Sequence, residues 1–213
     1  MKRFSIVLLA MVFMVGFGGI AMSADIAGSK HDFSSGGTGL GATLNGTGEI
    51  CNTCHAPHAP SNAADGPLWD HSVTAATFTP YADPSGSIDA TDLTATVGAV
   101  SKLCLSCHDG TVAMDAFGGG AGTTTITGAG LVSNDLSNDH PVSFTYDATL
   151  ATADGELTSP ASVDEVTVAG LPLFEGTGQM ECATCHNAHD GASTYFLRLA
   201  NTNSDLCKTC HTK

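Results

Sequence analysis

Basic residues are scarce in this sequence, which has 7 Lys and Arg against 21 Asp and Glu. Two of the basic residues, Lys2 and Arg3, belong to the N-terminal segment, so the remainder carries 5 basic and 21 acidic side chains, a net charge of −16 with His neutral. A surface this acidic repels nucleic acids and anionic membranes. We therefore expect no nucleic-acid partner. Either the charge attracts basic proteins, divalent cations or positively charged mineral surfaces, or it only keeps the protein soluble.

Cysteine is absent outside one repeated motif. The eight cysteines form four C-x-x-C-H sequences, and this motif is the attachment signature of a c-type haem. Both thiols of each motif bond the porphyrin, and the His that follows binds the iron from one side. The predicted attachment residues are Cys51, Cys54, Cys104, Cys107, Cys182, Cys185, Cys207 and Cys210, and the proximal iron ligands are His55, His108, His186 and His211.

Zinc ribbons, redox-active dithiols and disulfide frameworks also use paired cysteines. A zinc ribbon has no reason to place His directly after every pair, and a disulfide framework would show varied spacings. Here the His follows in all four motifs. The predicted cofactors are therefore four covalently attached c-type haems.

Methionine cannot supply the remaining iron ligands, because only Met114 and Met180 lie beyond the N-terminal segment. Five His residues remain outside the motifs for four sites, which favours bis-His coordination and low reduction potentials. We assign the distal ligands to His31, His58, His140 and His189. His71 is predicted to be the surplus residue that binds no iron.

The N-terminal segment is predicted to be a secretory signal peptide, residues 1–24. Lys2 and Arg3 precede an apolar stretch that ends in small residues, and this order is typical of exported proteins. Residues 25–213 then form a single tetrahaem domain. We expect the protein to be exported, to the cell surface or the extracellular space, with the periplasm as the alternative.

The fold class follows from a shortage of aromatic residues, at 6% of the chain, and of apolar periodicity. Such a polypeptide offsets its conformational entropy poorly, so four flat apolar porphyrins are expected to act as the core. The prediction is a mostly irregular multihaem cytochrome c with short helices at the haem motifs and a few short strands. Ser204 and Asp205 predict one helix start, and Thr123–Thr127 has the β-branched content of a strand.

Several segments carry a resemblance to a known family. They are Lys30-His31-Asp32-Phe33, CNTCHAPH, Pro67-Leu68-Trp69, KLCLSCHDGT, Asn138-Asp139-His140-Pro141-Val142 and the ending CATCHNAH with CKTCH. These segments resemble multihaem cytochromes with doubled C-x-x-C-H motifs, and in particular the extracellular tetrahaem cytochromes of metal-reducing bacteria. Members of the OmcE type polymerise into filaments. The resemblance implies a continuous haem stack in which a His of one subunit ligates a haem of the next.

Three functions are compatible with these features. The first is electron transfer by low-potential haems in an extracellular conducting filament, with other copies, redox proteins and extracellular metal oxides or other terminal acceptors as partners. The second is a soluble periplasmic electron shuttle. The third is a multihaem oxyanion reductase, which needs an open iron coordination position. The surplus of His argues against that, so we expect no enzyme and no catalytic residue.

The filament hypothesis gives His58 a role between two copies of the chain. It follows His55 by three residues on a segment that contains Pro57 and Pro60. Because His55 binds the first haem, His58 is free to reach another. Mainly on the resemblance, we expect His58 to ligate the third haem, at His186, of a neighbouring copy. The alternative is the second haem of its own chain.

Overall fold

Irregular backbone makes up most of the chain that the computed structural model describes, namely residues 26–34, 44, 48–82, 88–160, 167–168, 170–174, 176, 178–191 and 193–212. Short helices and strands are few, as the composition predicted. The predicted signal peptide at 1–24 lies outside the described residues. Within the described ranges, no helix has both the length and the apolar character needed to span a membrane.

Helices occur at three of the four C-x-x-C-H motifs. The α-helices of the described chain are α1 (Ala99–His108), α2 (Ala148–Asp154), α3 (Cys182–Cys185) and α4 (Asp205–Cys210). The second, third and fourth motifs lie at α1, α3 and α4. A helical turn brings residues i and i+3 to one face, so each of these motifs presents both of its thiols on the same side.

The first motif forms a turn and no helix, which corrects the expectation of a helix at every motif. Its single turn is closed by the His55 backbone N–H, which donates to the Cys51 carbonyl at 2.9 Å. Pro57 follows two residues later and has no N–H to continue a helical pattern. The motif therefore keeps the local geometry that haem attachment needs without a surrounding helix.

The other helices begin and end for local reasons. Helix α4 begins at Asp205, as predicted, but the Ser204 side chain makes no capping hydrogen bond. Helix α2 was not predicted. The Asp147 carboxylate caps it by accepting from the Leu150 N–H at 2.8 Å, and Gly155 ends it at φ 74°, where a residue without Cβ is favoured.

Four two-residue strands form two antiparallel pairs. Strand β1 (Phe144–Thr145) pairs with β4 (Gln179–Met180), and β2 (Thr167–Val168) pairs with β3 (Leu171–Pro172). The first pair holds the segment before the third motif against the middle of the chain. It thereby fixes the start of α3.

The predicted strand at Thr123–Thr127 is wrong. The backbone N–H groups of Thr123 and Thr124 both donate to the Asp115 carboxylate at 2.8 Å. The Asp115 carboxylate thus accepts from the backbone N–H groups that would otherwise donate to a neighbouring strand. Short polar side chains override the local β-propensity here.

Two small apolar clusters pack within the described polypeptide. One contains Phe144, Tyr146, Leu150, Val168 and Met180, and the other contains Phe78, Val97, Leu105 and Leu136. We call them the C-terminal cluster and the central cluster. The partly buried Cys210 of the fourth motif packs against the C-terminal cluster, and Leu105 lies between the two cysteines of the second motif. Each cluster is therefore tied to a haem-attachment motif.

Candidate haem-binding sites

All eight cysteines are unpaired, so no disulfide framework forms. Burial raises the pKa of the Cys54 thiol to about 11 and that of the Cys107 thiol to about 12. Redox-active dithiols need a lowered pKa instead. In the part of the chain that the structure describes, no three His, Cys, Asp or Glu side chains converge to hold a metal ion by themselves. The thiols are thus free for covalent attachment.

The motif histidines are oriented by backbone carbonyls. Nδ1 of His55 lies 3.0 Å from Pro67 O, Nδ1 of His108 lies 2.6 Å from Gly130 O, and Nδ1 of His186 lies 2.8 Å from Tyr195 O. A ring that donates through Nδ1 keeps the lone pair of Nε2 for a metal, and the hydrogen bond fixes the direction of the ring. These three side chains are therefore prepared to bind iron through Nε2.

Three of the remaining histidines lie opposite motif histidines. The ring centroids of His55 and His189 are 6.1 Å apart, those of His108 and His31 are 6.1 Å apart, and those of His211 and His140 are 6.5 Å apart. An iron with bonds of about 2 Å to a nitrogen on each side, and roughly 1 Å more to each ring centre, needs centroids roughly 6 Å apart. The spacing of all three pairs fits one iron between two imidazoles.

His31 and His140 have the protonation state that an iron ligand needs. Burial, and next to it the neighbouring His108, lower the pKa of His31 to about 4. Desolvation of the ring, and next to it the neighbouring His211, lower the pKa of His140 as well. The His31 ring stacks on Phe196 with centroids 4.4 Å apart, which holds it in place. Both rings are neutral near pH 7, so each has a lone pair to donate.

His58 and His186 have no such partner. In the described chain no second imidazole faces either ring at the distance found in the three pairs. Both side chains are exposed. One predicted proximal ligand and one predicted distal ligand are therefore left over, each on the surface.

His71 lies in the interior, with 1% of its surface exposed. Its Nδ1 is 2.7 Å from Ser72 O and its Nε2 is 3.0 Å from Ala113 O. A neutral imidazole donates through only one of its nitrogens, and Nε2 also lies 3.5 Å from Sγ of Cys107 in the second motif. The ring is thus packed inside the polypeptide beside that motif, and its assignment as the surplus residue stays a prediction.

Replacing His71 with Ala is expected to leave every haem iron six-coordinate and low-spin. The variant should still lose about 2–4 kcal/mol of unfolding free energy, because a buried ring and its hydrogen bonds are removed. Magnetic circular dichroism and chemical denaturation measure the two effects. His140→Ala is the matched control and should produce one high-spin iron. A high-spin iron in His71→Ala would contradict the assignment.

Trp69 supplies a test of whether a haem fits at the first motif. Its indole Nε1–H is buried and finds no hydrogen-bond partner within the described residues. The indole meets the His55 ring edge-on, with centroids 5.5 Å apart. A buried donor without an acceptor costs free energy, and a haem carries propionate carboxylates that accept from such donors. The unmatched N–H therefore fits a cofactor held at His55.

The first motif lies close to the second in space, and the second lies close to the third. Next to burial, the nearby Cys54 contributes to the raised pKa of Cys107, so the first and second motifs lie close together. The Cys104 thiol donates a hydrogen bond to the Cys182 thiol, which raises the pKa of Cys104. The second and third motifs are therefore in contact through their sulfur atoms.

The fourth motif continues this order. Burial, and after it the nearby Cys185, raise the pKa of Cys210 to about 11. Cys185 belongs to the third motif. The four attachment motifs thus follow one another in space in the same order as in the sequence.

The sequence profile of the doubled CXXCH motif matches residues 176–213. This segment contains the third and fourth motifs, with Cys182, Cys185, Cys207 and Cys210. The match indicates covalent attachment of haem c and electron transfer as the function. A comparison with curated proteins gives no match.

Two residues near the motifs have roles that the sequence analysis missed. Trp69 belongs to a segment that carries the resemblance, and no sequence pattern indicates a role for Glu181. Glu181 is 1% exposed, and a Glu next to a Cys motif gives no sign of burial in the sequence. The tertiary contacts alone reveal it.

Proposed function

We propose that this chain carries four c-type haems, each with its iron between two histidines, and transfers electrons along them. The observation that carries the proposal is the set of three imidazole pairs with centroids 6.1–6.5 Å apart. Each pair joins one motif His to one His from elsewhere in the chain. Two rings on opposite sides of an iron leave no open position for a substrate, which favours electron transfer over a reductase.

These pairs support an assignment of the ligands within one chain. His55 and His189 would hold the first haem, His108 and His31 the second, and His211 and His140 the fourth. His189 therefore serves a haem other than the one beside it in the sequence. Since His31 already faces His108, the second haem of the same chain has no need of His58.

Each haem supplies a one-electron iron couple when bound. With imidazoles on both sides of the iron and no Met in their place, the residues of the chain would hold that couple at a low potential. The Nδ1–carbonyl hydrogen bonds of His55, His108 and His186 would strengthen these donors further. Because the motifs follow one another in space, an electron that enters at one end would meet the four sites in succession.

We further propose that His58 of one copy completes the third site, at His186, of a second copy. Both side chains are exposed. His186 lies near enough to His31 to contribute to the lowered pKa of that ring, but His31 already faces His108. Within the described chain no imidazole stands opposite His58 or His186 at the spacing of the three pairs. The surface around His186 suits a docked segment, because Tyr195 is 78% exposed beside it. A cavity of about 320 Å³ adjoins Tyr195 and is lined by residues 28–30, 191 and 193–196.

Such a contact joins two different surfaces of the same chain. Heterologous contacts of this kind produce an open filament when the rotation between copies does not close. The proposal is therefore an exported, extracellular electron-conducting filament of this chain. Its acidic surface would bind basic redox proteins or positively charged metal oxides.

The number of haems tests the core of the proposal. The intact mass of the exported protein should equal the cleaved polypeptide plus four haems, and the oxidised protein should be entirely low-spin. The double variant Cys104→Ala/Cys107→Ala is the control and should lose the mass of one haem. A wild-type mass with two haems, attached only at residues 176–213, would contradict the proposal.

A further inference from the structure

Glu181 is a buried carboxylate directly before the third haem-attachment motif. Only 1% of its surface is exposed. Its Oε2 accepts from the Ser101 N–H at 3.2 Å, from the Ser143 hydroxyl at 3.1 Å and from the Ser101 hydroxyl. Hydrogen bonds to a carboxylate oxygen stabilise the ionised form. The three donors are neutral, so they orient the negative charge without cancelling it.

This carboxylate lies where the second and third motifs meet. Ser101 belongs to helix α1 and precedes Cys104 by three residues. The Ser101 hydroxyl also accepts from the Cys182 N–H at 3.0 Å. The Cys104 and Cys182 thiols are hydrogen-bonded to each other. Glu181 is therefore next to Cys182 of the third motif in the chain, and through Cys182 it is connected to Cys104 of the second motif.

The surroundings of Glu181 exclude water. Ser101 is 0% exposed, Thr184 is 1% exposed and Met180 is 4% exposed. Charges interact more strongly in such an environment than at the surface, where water and salt screen them. A ferric haem carries one more positive charge than a ferrous haem. A fixed negative charge nearby stabilises the ferric state and lowers the reduction potential.

We propose that Glu181 holds the second and third haems at lower reduction potentials than they would have without its charge. The inference rests on the proposed four-haem function and adds a tuning residue to it. Glu181 acts through the field at the two irons and is not an iron ligand. Its effect is greatest on the two central haems, because its partner Ser101 lies in the helix of the second motif and hydrogen-bonds Cys182 of the third.

Spectroelectrochemical titration of Glu181→Gln tests this proposal, because Gln keeps the size and the acceptor oxygen but removes the charge. The ratio of reduced to oxidised haem at a fixed potential should rise about tenfold for two of the four haems, which is 59 mV for a one-electron couple. The exposed Asp89 gives a matched control: Asp89→Asn removes the same charge and should shift no potential. An unchanged titration of Glu181→Gln, or an equal shift of all four haems, would overturn the proposal.

A second variant separates charge from positioning. Ser143→Ala removes one of the donors that stabilise the ionised carboxylate, so the same two potentials should rise, by less than in Glu181→Gln. Potentials that fall or stay constant in Ser143→Ala would contradict a role through charge, even where Glu181→Gln failed to fold. The haem count and spin state of the unsubstituted protein test the proposed function separately. A wild type without four low-spin haems would therefore fail that function and not the role of Glu181.

Discussion

His58→Ala is expected to abolish filaments and to convert one haem iron per chain to the high-spin state. His58 is exposed, and His186 is the motif His without an imidazole opposite it in the described chain. One substitution should therefore remove both an iron ligand and a contact between copies. Electron microscopy measures the first effect and magnetic circular dichroism measures the second. The other three irons keep ligands from their own chain and should stay low-spin.

Two controls make this result specific. Free imidazole should restore the low-spin state of the variant but not its filaments, because it supplies a ligand without joining two copies. A small fraction of His58→Ala chains mixed into the wild type should shorten filaments, because each such chain can accept a neighbour's His58 and cannot offer its own. Filaments of normal length with all irons low-spin would contradict the role of His58.

The second large effect is expected from removing the fourth haem. In Cys207→Ala/Cys210→Ala, amide hydrogen exchange across residues 193–212 should accelerate by roughly a hundredfold, because few polypeptide contacts hold this segment. Leu206 is the buried residue of helix α4, and the Ser204 side chain makes no cap. Residues 210–212 are connected by hydrogen bonds from Thr158 N–H to Cys210 O at 2.7 Å and from Thr212 N–H to Glu156 O at 2.8 Å. Residues 196–198 are connected to the third motif by hydrogen bonds from Asn187 N–H to Phe196 O at 2.7 Å and from Arg198 N–H to Cys185 O at 2.8 Å.

The matched control removes the first haem instead. Cys51→Ala/Cys54→Ala lies at the other end of the order of motifs, so protection of residues 193–212 should be unchanged. Unchanged protection in Cys207→Ala/Cys210→Ala would show that the polypeptide holds this region without its cofactor. The proposed contribution of the haems to the core would then be wrong for the C-terminal part of the chain.

Local sequence signals predicted the fold only where the interactions are local. Helix α4 begins where Ser204 and Asp205 indicated it. The strand at Thr123–Thr127 failed because the Asp115 carboxylate, eight residues away, binds the backbone N–H groups that a strand would use. Helix α2 was overlooked although Asp147 and Gly155 mark its ends, because its short sequence lacks a clear apolar face.

The sequence by itself determined the chemistry of this protein. The C-x-x-C-H signature for covalent haem attachment lies within five residues, so the attachment cysteines and proximal histidines could be predicted without any knowledge of the fold. Counting His against Met indicated bis-His iron, again without any fold. The tertiary structure decided what depends on distant contacts. His31 faces His108 across 77 positions of the chain, His71 turns both nitrogens to carbonyls, and Glu181 reaches Ser101 across 80 positions. No local pattern encodes such pairings, because each depends on how the whole chain folds back on itself.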